Sequence, residues 1–282
     1  MRLTKGMTLV VEGKYRLDMK IGEGSFGKIF SGINKNTKEE VAVKIESSTT
    51  SSPLRNEARI YSALRDMEGI PKLRAWGKEG HFNYLVLDLL GLSLEDSLEI
   101  SGGVMELNVA MMVGIQMVER IKNMHEHGII HRDVKPANFV FGKHTDRVNY
   151  LYIIDFGLAK SFGDNKHHMK KTEGRSLIGT ARFVSINVHD GIAPSRRDDI
   201  ESVGYVLVYL LLGKLPWQGI ECDNEQEKQQ KIGDIKRTIC LREIYGIPEG
   251  LIRFLEHCRK LRFDEQPNYA YLNNLLLKCN IT

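Results

Sequence analysis

Over positions 14–46 apolar residues alternate with polar ones or cluster between turns, and YRLDMKIG, KIFSGIN and EEVAVKIE each predict a β-strand. The polar break NKNTKE predicts a hairpin turn between the second and third. Ser52-Pro53 offers an N-cap with proline at the first helical position. Leu54, Ala58, Tyr61 and Leu64 follow at helical spacing, predicting one helix to about Asp66. WGKEGHFNYLVLDLLG then predicts two strands folded about Lys78-Glu79-Gly80. The first ninety residues thus predict a mostly antiparallel sheet with one helix.

Beyond Gly91 the period changes. Leu107, Met111, Ile115, Val118 and Ile121 recur every three or four residues, predicting a long amphipathic helix up to His127-Gly128. Short strands are predicted near Phe139 and Tyr152, and helices over about 197–212, 250–260 and 268–278. The pattern is that of a small β-rich lobe and a larger helical lobe, with 89–92 as the connector. Ligands commonly bind in clefts between lobes. The longest apolar stretch, 203–212, is too short to span a bilayer and predicts a buried helix.

Composition changes this picture little. The 282 residues are 42% hydrophobic and 27% charged, enough apolar surface for a core and too much for a disordered chain. Forty Lys and Arg against 36 Asp and Glu leave +4, a spread-out excess that argues against a nucleic-acid partner while permitting an acidic one. Cys222, Cys240, Cys258 and Cys279 form no C-x-x-C pair, which argues against a zinc site and for reduced thiols. The opening MRLTKGMTLVVEGKY does not fit a signal peptide, no glycine follows Met1, and no prenylation box is present. A cytoplasmic or nuclear protein without a membrane anchor is therefore expected.

Three groups of residues carry candidate chemistry. Gly22-Glu23-Gly24-Ser25-Phe26-Gly27 is a G-x-G-x-x-G followed by a predicted strand and not a helix. That context fits a hairpin lid over phosphates better than a dinucleotide fold, although an ordinary glycine-rich hairpin fits the motif alone equally well. Lys44 sits in the apolar run Val41-Ala42-Val43. An ammonium inside a central strand needs a partner, and Glu57 on the following helix can supply one, holding Lys44 towards phosphate oxygens; an edge lysine reaching back to water is the alternative. His131-Arg132-Asp133-Val134-Lys135-Pro136-Ala137-Asn138 is more specific, and Asp155-Phe156-Gly157 follows seventeen residues after Asn138. Asn138 and Asp155 are hard oxygen donors suited to Mg²⁺, which leaves Asp133 to orient a substrate hydroxyl and accept its proton.

In this order the motifs resemble those of eukaryotic protein kinases over nearly the whole chain. The resemblance is closer still to the casein kinase I family. In place of the usual A-P-E the chain has Gly179-Thr180-Ala181-Arg182-Phe183-Val184-Ser185-Ile186-Asn187. Family-like runs also begin at Ser195-Arg196-Arg197-Asp198-Asp199, Leu215-Pro216-Trp217-Gln218-Gly219 and Leu261-Arg262-Phe263-Asp264.

The resemblance implies an α+β bilobal protein kinase fold. Residues 1–90 would form the small β-rich N-lobe with one helix and 91–282 the larger, mostly helical C-lobe, together one kinase domain. It implies a Mg·ATP-dependent serine/threonine kinase acting on acidic or pre-phosphorylated proteins. Asp133 would be the base, Lys135 would steady the γ-phosphate, Lys44 and Glu57 would form the phosphate-holding pair, and Asn138 and Asp155 would hold Mg²⁺. Ile21, Ile29, Ala42, Leu87, Leu90, Val140 and Ile154 would frame the adenine, with hinge hydrogen bonds from the backbone of Asp88 and Leu90, and Gly22, Gly24 and Gly27 would cover the phosphates. Arg182, Lys228 and the backbone near Gly219 would form a pocket for an acidic or phosphorylated residue N-terminal to the target, and Lys166-His167-His168-Met169-Lys170-Lys171 with Arg175 would add to its field or form a solvated loop. Asp199 would anchor the catalytic loop, and Thr180 would be structural. Two departures stand out: Ala137 replaces an acidic residue, and 161–177 lacks the family's Ile-Pro-Tyr-Arg stretch. A monomer is the default. The competing readings are a pseudokinase binding ATP and partners, and a small-molecule kinase.

Overall fold

The computed structural model describes residues 10–24, 27–47, 53–163 and 168–279. Ser25 and Phe26 of the glycine-rich run, the Ser52 cap, and Lys166-His167 of the basic stretch lie outside the described residues. The chain divides into two compact units, residues 1–91 with 141–157 and residues 92–140 with 158–282.

The first unit is built on one antiparallel sheet. Its strands are β1 (Val10–Val11), β2 (Tyr15–Gly24), β3 (Gly27–Asn34), β4 (Glu40–Ser47), β5 (Leu73–Glu79) and β6 (Phe82–Asp88), in the order β1-β2-β3-β4-β6-β5. β4 is central, so both its edges are hydrogen-bonded, to β3 and to β6. Val41 and Val43 join Tyr15, Leu17, Phe30, Tyr84 and Val86 in a buried cluster. The two-residue repeat of a strand sends Ala42, Lys44 and Glu46 to the other face. Helix α1 (Pro53–Ala63) packs against β5 and β6 and buries Leu54, Glu57, Ala58 and Tyr61 at helical spacing. The Glu46 carboxylate accepts from the amide of Leu54 at 3.4 Å, placing negative charge at the positive end of α1. The helix stops at Ala63, a little short of the expected end.

Gly27 shows why the glycine-rich run is restricted. Its φ is +143°, and a Cβ there would stand 2.2 Å from the Ile45 carbonyl oxygen, so only glycine lets β3 lie this close to β4.

The second unit is helical. α2 (Leu94–Ile100) starts at a reciprocal Ser93–Asp96 capping box, and α3 (Leu107–Glu126) is the long helix expected from its periodicity. α5 (Arg196–Leu212) is buried all round from Arg197 to Leu210, which is why its second part, 203–212, reads as a continuous apolar run. α3 and α7 (Glu249–Lys260) pack on α5, and α8 (Tyr269–Lys278) packs on α3 and α7. Between α3 and α5 lie β7 (Ile129–Ile130), paired with β10 (Lys160–Ser161), and the short helix α4 (Ile186–His189). β8 (Phe139–Phe141) and β9 (Leu151–Ile153), the latter belonging to the first unit, are the two further short strands expected. α6 (Glu225–Thr238), like α2 and α4, was not foreseen from periodicity. Among the described residues no helix is long and apolar enough to cross a membrane.

Candidate active site

In the first unit the predicted Lys44–Glu57 pair forms. Lys44 Nζ lies 2.8 Å from Glu57 Oε2 and 2.9 Å from Asp155 Oδ1. The ammonium is 8% exposed and Glu57 1%. Burial pushes the Glu57 carboxyl up to about 7 against the pull of Lys44. The same burial works against the Lys44 ammonium, but Glu57 and Asp155 outweigh it and hold its pKa above the usual lysine value. Asp155 has φ +64°, and its amide donates to the Tyr61 hydroxyl at 3.3 Å. The Tyr61 ring in turn packs 4.6 Å from Phe156. α1 therefore fixes the Asp155-Phe156-Gly157 turn through Tyr61 while offering Glu57 to Lys44. A left-handed aspartate held this way is the kind of local strain that functional sites retain.

Register places the first unit's proposed adenine residues beside that lysine. Ile29 pairs with Lys44 across β3 and β4, and Ala42 pairs with Leu87 across β4 and β6. Ile29, Ala42, Leu87, Asp88, Leu90 and Ile154 are all half-buried, and Ile21 is exposed. These apolar side chains remain partly open. Gly22 and Gly24 lie at the end of β2, paired with Ile29 and Gly27 of β3, and nothing lies within 4 Å of a Cβ at Gly24. Val140 belongs to the second unit and is buried there.

In the second unit the residues of the 131–138 run converge on one carboxylate. Asp133 is 8% exposed. Its Oδ1 accepts from the Thr180 amide at 3.0 Å and from the Thr180 hydroxyl at 2.7 Å. Its Oδ2 accepts from Lys135 Nζ at 2.6 Å. Asn138 Nδ2 donates to the Asp133 carbonyl at 2.8 Å, which turns the amide oxygen of Asn138 away as an available acceptor. The loop itself hangs on Asp199 of α5. Oδ2 accepts from the His131 amide at 2.7 Å and meets His125 Nε2 at 3.0 Å, while Oδ1 accepts from the Arg132 amide at 2.9 Å. Burial raises the Asp199 carboxyl, but His125 and the His131 amide outweigh it and hold it below the usual carboxylate range. Arg132 takes φ +68° and donates to the Leu158 carbonyl at 2.5 Å.

Past Thr180 the chain makes one tight turn and reaches α4. Arg182 lies with its guanidinium carbon 5.7 Å from the rings of both Phe183 and Tyr209. The Tyr209 hydroxyl donates to Glu95 at 2.9 Å. Ser185 donates to Asp198 at 2.5 Å, and burial pushes that carboxyl up to about 6. Gly219 is exposed, with φ +81° and open space where a side chain would be, and Lys228 is exposed on the first half of α6. Two participants escaped sequence reasoning. The Thr180 contact to Asp133 is invisible in spacing, because forty-seven residues separate them. Lys236 is buried on α6, and nothing in the sequence marks it, since its i, i+4 relation to the apolar Ile232 is shared by the exposed Lys228.

In the first unit Asp155 is a hard carboxylate donor of the kind Mg²⁺ combines with phosphate oxygens, and Lys44 is a cation already fixed in place by Glu57; in the second unit Asn138 offers a hard amide oxygen. Among the described residues no cluster of three or more His, Cys, Asp or Glu forms an all-protein metal cage. The family model for the protein kinase domain matches residues 15–273, and the β-rich sheet and the helical unit are the N-lobe and C-lobe of that fold.

Proposed function

The chain belongs to the protein kinase domain family, and from that premise we propose that it is an active serine/threonine kinase of the casein kinase I type. In this reading it transfers the γ-phosphate of ATP to Ser or Thr hydroxyls that follow an acidic or phosphorylated residue. The observation that carries the proposal is the Asp133 cluster, in which the carboxylate is met by Lys135, Asn138 and Thr180.

Asp133 Oδ2 orients the substrate hydroxyl and takes its proton as the oxygen attacks. Lys135, 2.6 Å from the same oxygen, steadies the transferring phosphoryl group. Lys44, fixed by Glu57, binds the phosphates of ATP, and Ile29, Ala42 and Leu87 receive the adenine. Asp155 of the first unit and Asn138 of the second would each offer an oxygen to Mg²⁺, which would neutralise charge on the phosphate oxygens. Positioning and electrostatics supply most of the rate in such transfers. Arg182, resting on two aromatic rings, offers a planar cation for charge-assisted hydrogen bonds to a substrate anion, and the exposed Lys228 and Gly219 are proposed to share in that pocket. Ser185-Ile186-Asn187 and Lys135 favour a protein over a small alcohol as acceptor.

Radiolabelled transfer from Mg·ATP to two matched peptides tests this reading. One carries phosphoserine three residues before the target Ser, the other Ala there, and Asp155→Ala is the blank. Strong transfer to the primed peptide is expected. Equal transfer to both would remove the anion pocket, and ATP binding without transfer to any peptide would favour a pseudokinase.

A further inference from the structure

Residues 180–184 form one isolated turn. The amides of Phe183 and Val184 donate to the Thr180 carbonyl at 2.8 and 3.1 Å, and the chain then leaves for α4. No helix continues the turn, so the carbonyls of Ala181, Arg182 and Val184 must find partners elsewhere. Two side chains supply them. Lys236 Nζ donates to Ala181 O at 2.9 Å and Val184 O at 2.6 Å, and Trp217 Nε1 donates to Arg182 O at 2.8 Å.

Lys236 is 0% exposed. Its ammonium lies 4.9 Å from the Tyr205 ring centre, 5.1 Å from that of Trp217 and 3.2 Å from His189 Nε2. Gly233 allows this: a Cβ there would stand 3.0 Å from His189 Cβ, so glycine lets α6 come close enough for Lys236 to reach the turn. Burying an amine is costly, and an apolar side chain of similar size would fill the space more cheaply. What an apolar residue cannot do is bind two carbonyls. Those carbonyls bracket Arg182, and the turn begins at Thr180, which is bonded to Asp133.

We propose that Lys236, acting with the Trp217 indole, is a positioning residue for substrate recognition: it clamps the 180–184 turn so that Arg182 presents its guanidinium to an anion on the substrate. The inference rests on the anion-reading function proposed above. A purely structural lysine would lower activity towards every substrate alike, whereas a positioning lysine governs the advantage of a primed substrate.

The readout is the ratio of kcat/KM for the phosphoserine peptide to that for its Ala counterpart, with the KM for ATP measured alongside. In Lys236→Met this ratio should fall about tenfold, through a higher KM for the primed peptide, while the KM for ATP stays within about twofold. Lys236→Arg, which keeps donors, should recover part of the ratio. A folded, ATP-binding Lys236→Met with an unchanged ratio overturns the proposal. If Lys236→Met does not fold, Trp217→Phe decides, since it keeps a ring and removes only the N–H towards Arg182. A ratio at least about threefold lower supports the clamp, and an unchanged one overturns it. A wild-type protein with no primed preference would instead defeat the anion pocket itself, an outcome visible before any variant is compared.

Discussion

Replacing Asp199 by Asn tests whether the loop at 131–138, proposed to be catalytic, is held in place by one buried carboxylate. The substitution preserves shape but exchanges one acceptor oxygen for an NH₂ group. Asp199 accepts from the His131 and Arg132 amides and meets His125 Nε2, all within 3.0 Å. The His125 ring also meets the Tyr269 hydroxyl at 2.8 Å, so it cannot swing away without a second loss. An asparagine satisfies one oxygen's worth of these donors and turns a donor towards another. Losing one charge-assisted hydrogen bond costs about 1.5–3 kcal/mol, and leaving a buried N–H unpaired costs about 1–3 kcal/mol. The sum is roughly 2.5–6 kcal/mol, and the cost of breaking a buried ion pair, about 3–5 kcal/mol, lies within it. On that narrower figure, at about 2–4 °C per kcal/mol for a chain of this size, Tm should fall by roughly 6–20 °C. Because the loop carries Asp133, kcat should fall on the order of 10²-fold. The depressed Asp199 carboxyl also fixes the pH dependence. Its contribution is present above the unfolded value of 3.8 and lost as pH falls through the lower folded value. The gap between wild type and Asp199→Asn should therefore be full near neutrality and close in acid. Paired thermal melts at neutral and acid pH, with peptide phosphorylation kinetics, measure both effects. A variant melting within about 2 °C of wild type and keeping its kcat would refute the reasoning.

Other predictions follow from the same contacts. Thr180→Val keeps the shape but loses the 2.7 Å hydroxyl contact to Asp133, so kcat should drop roughly 10–100-fold with only a few degrees of Tm lost; peptide kinetics beside a melting curve check it. Glu57 titrates near 4.5 when unfolded and at about 7 in the fold, so its contribution to stability is complete below 4.5 and is lost as pH rises through about 7, on the order of 3 kcal/mol. Glu57→Gln should flatten that slope in melts between pH 4.5 and 8. The ionised carboxylate is the form that holds Lys44, so the variant should also lose the rise in kcat/KM near pH 7. Lys44→Met should raise the KM for ATP and reduce transfer on the order of 10²-fold or more, with the fold retained, measured by nucleotide binding and steady-state kinetics.

Much of the first unit was legible because its strands are short, alternating and separated by turn residues. Lys44 announced itself as a charge inside Val41–Ile45, where an ammonium must be paired, and Glu57 is that partner. Glu46, two residues on and facing the same way, carried no such signal: its bond to the start of α1 depends on where that helix begins in space. In the second unit the periodicity of α3 and the unbroken apolar run of α5 were readable. α6 was not, because Glu225–Thr238 is almost wholly polar and its buried residues are only Ile232, Gly233 and Lys236. A lysine is ordinarily a surface residue, so nothing in one dimension separates Lys236 from Lys228, yet one is enclosed and the other open. The Asp133–Thr180 and Lys236–Val184 contacts join residues 47 and 52 positions apart, and only tertiary packing brings them together.

The central claim is that Asp133 serves a phosphoryl transfer to a hydroxyl. Single-turnover transfer of the γ-phosphate to a primed serine peptide, compared between wild type and Asp133→Asn at saturating Mg·ATP, addresses it most directly. The account predicts rapid transfer by wild type and a rate about 10²–10⁴-fold lower in the variant, with ATP binding essentially unchanged. Equal rates in the two proteins, or no transfer by a wild type that binds ATP, would contradict it.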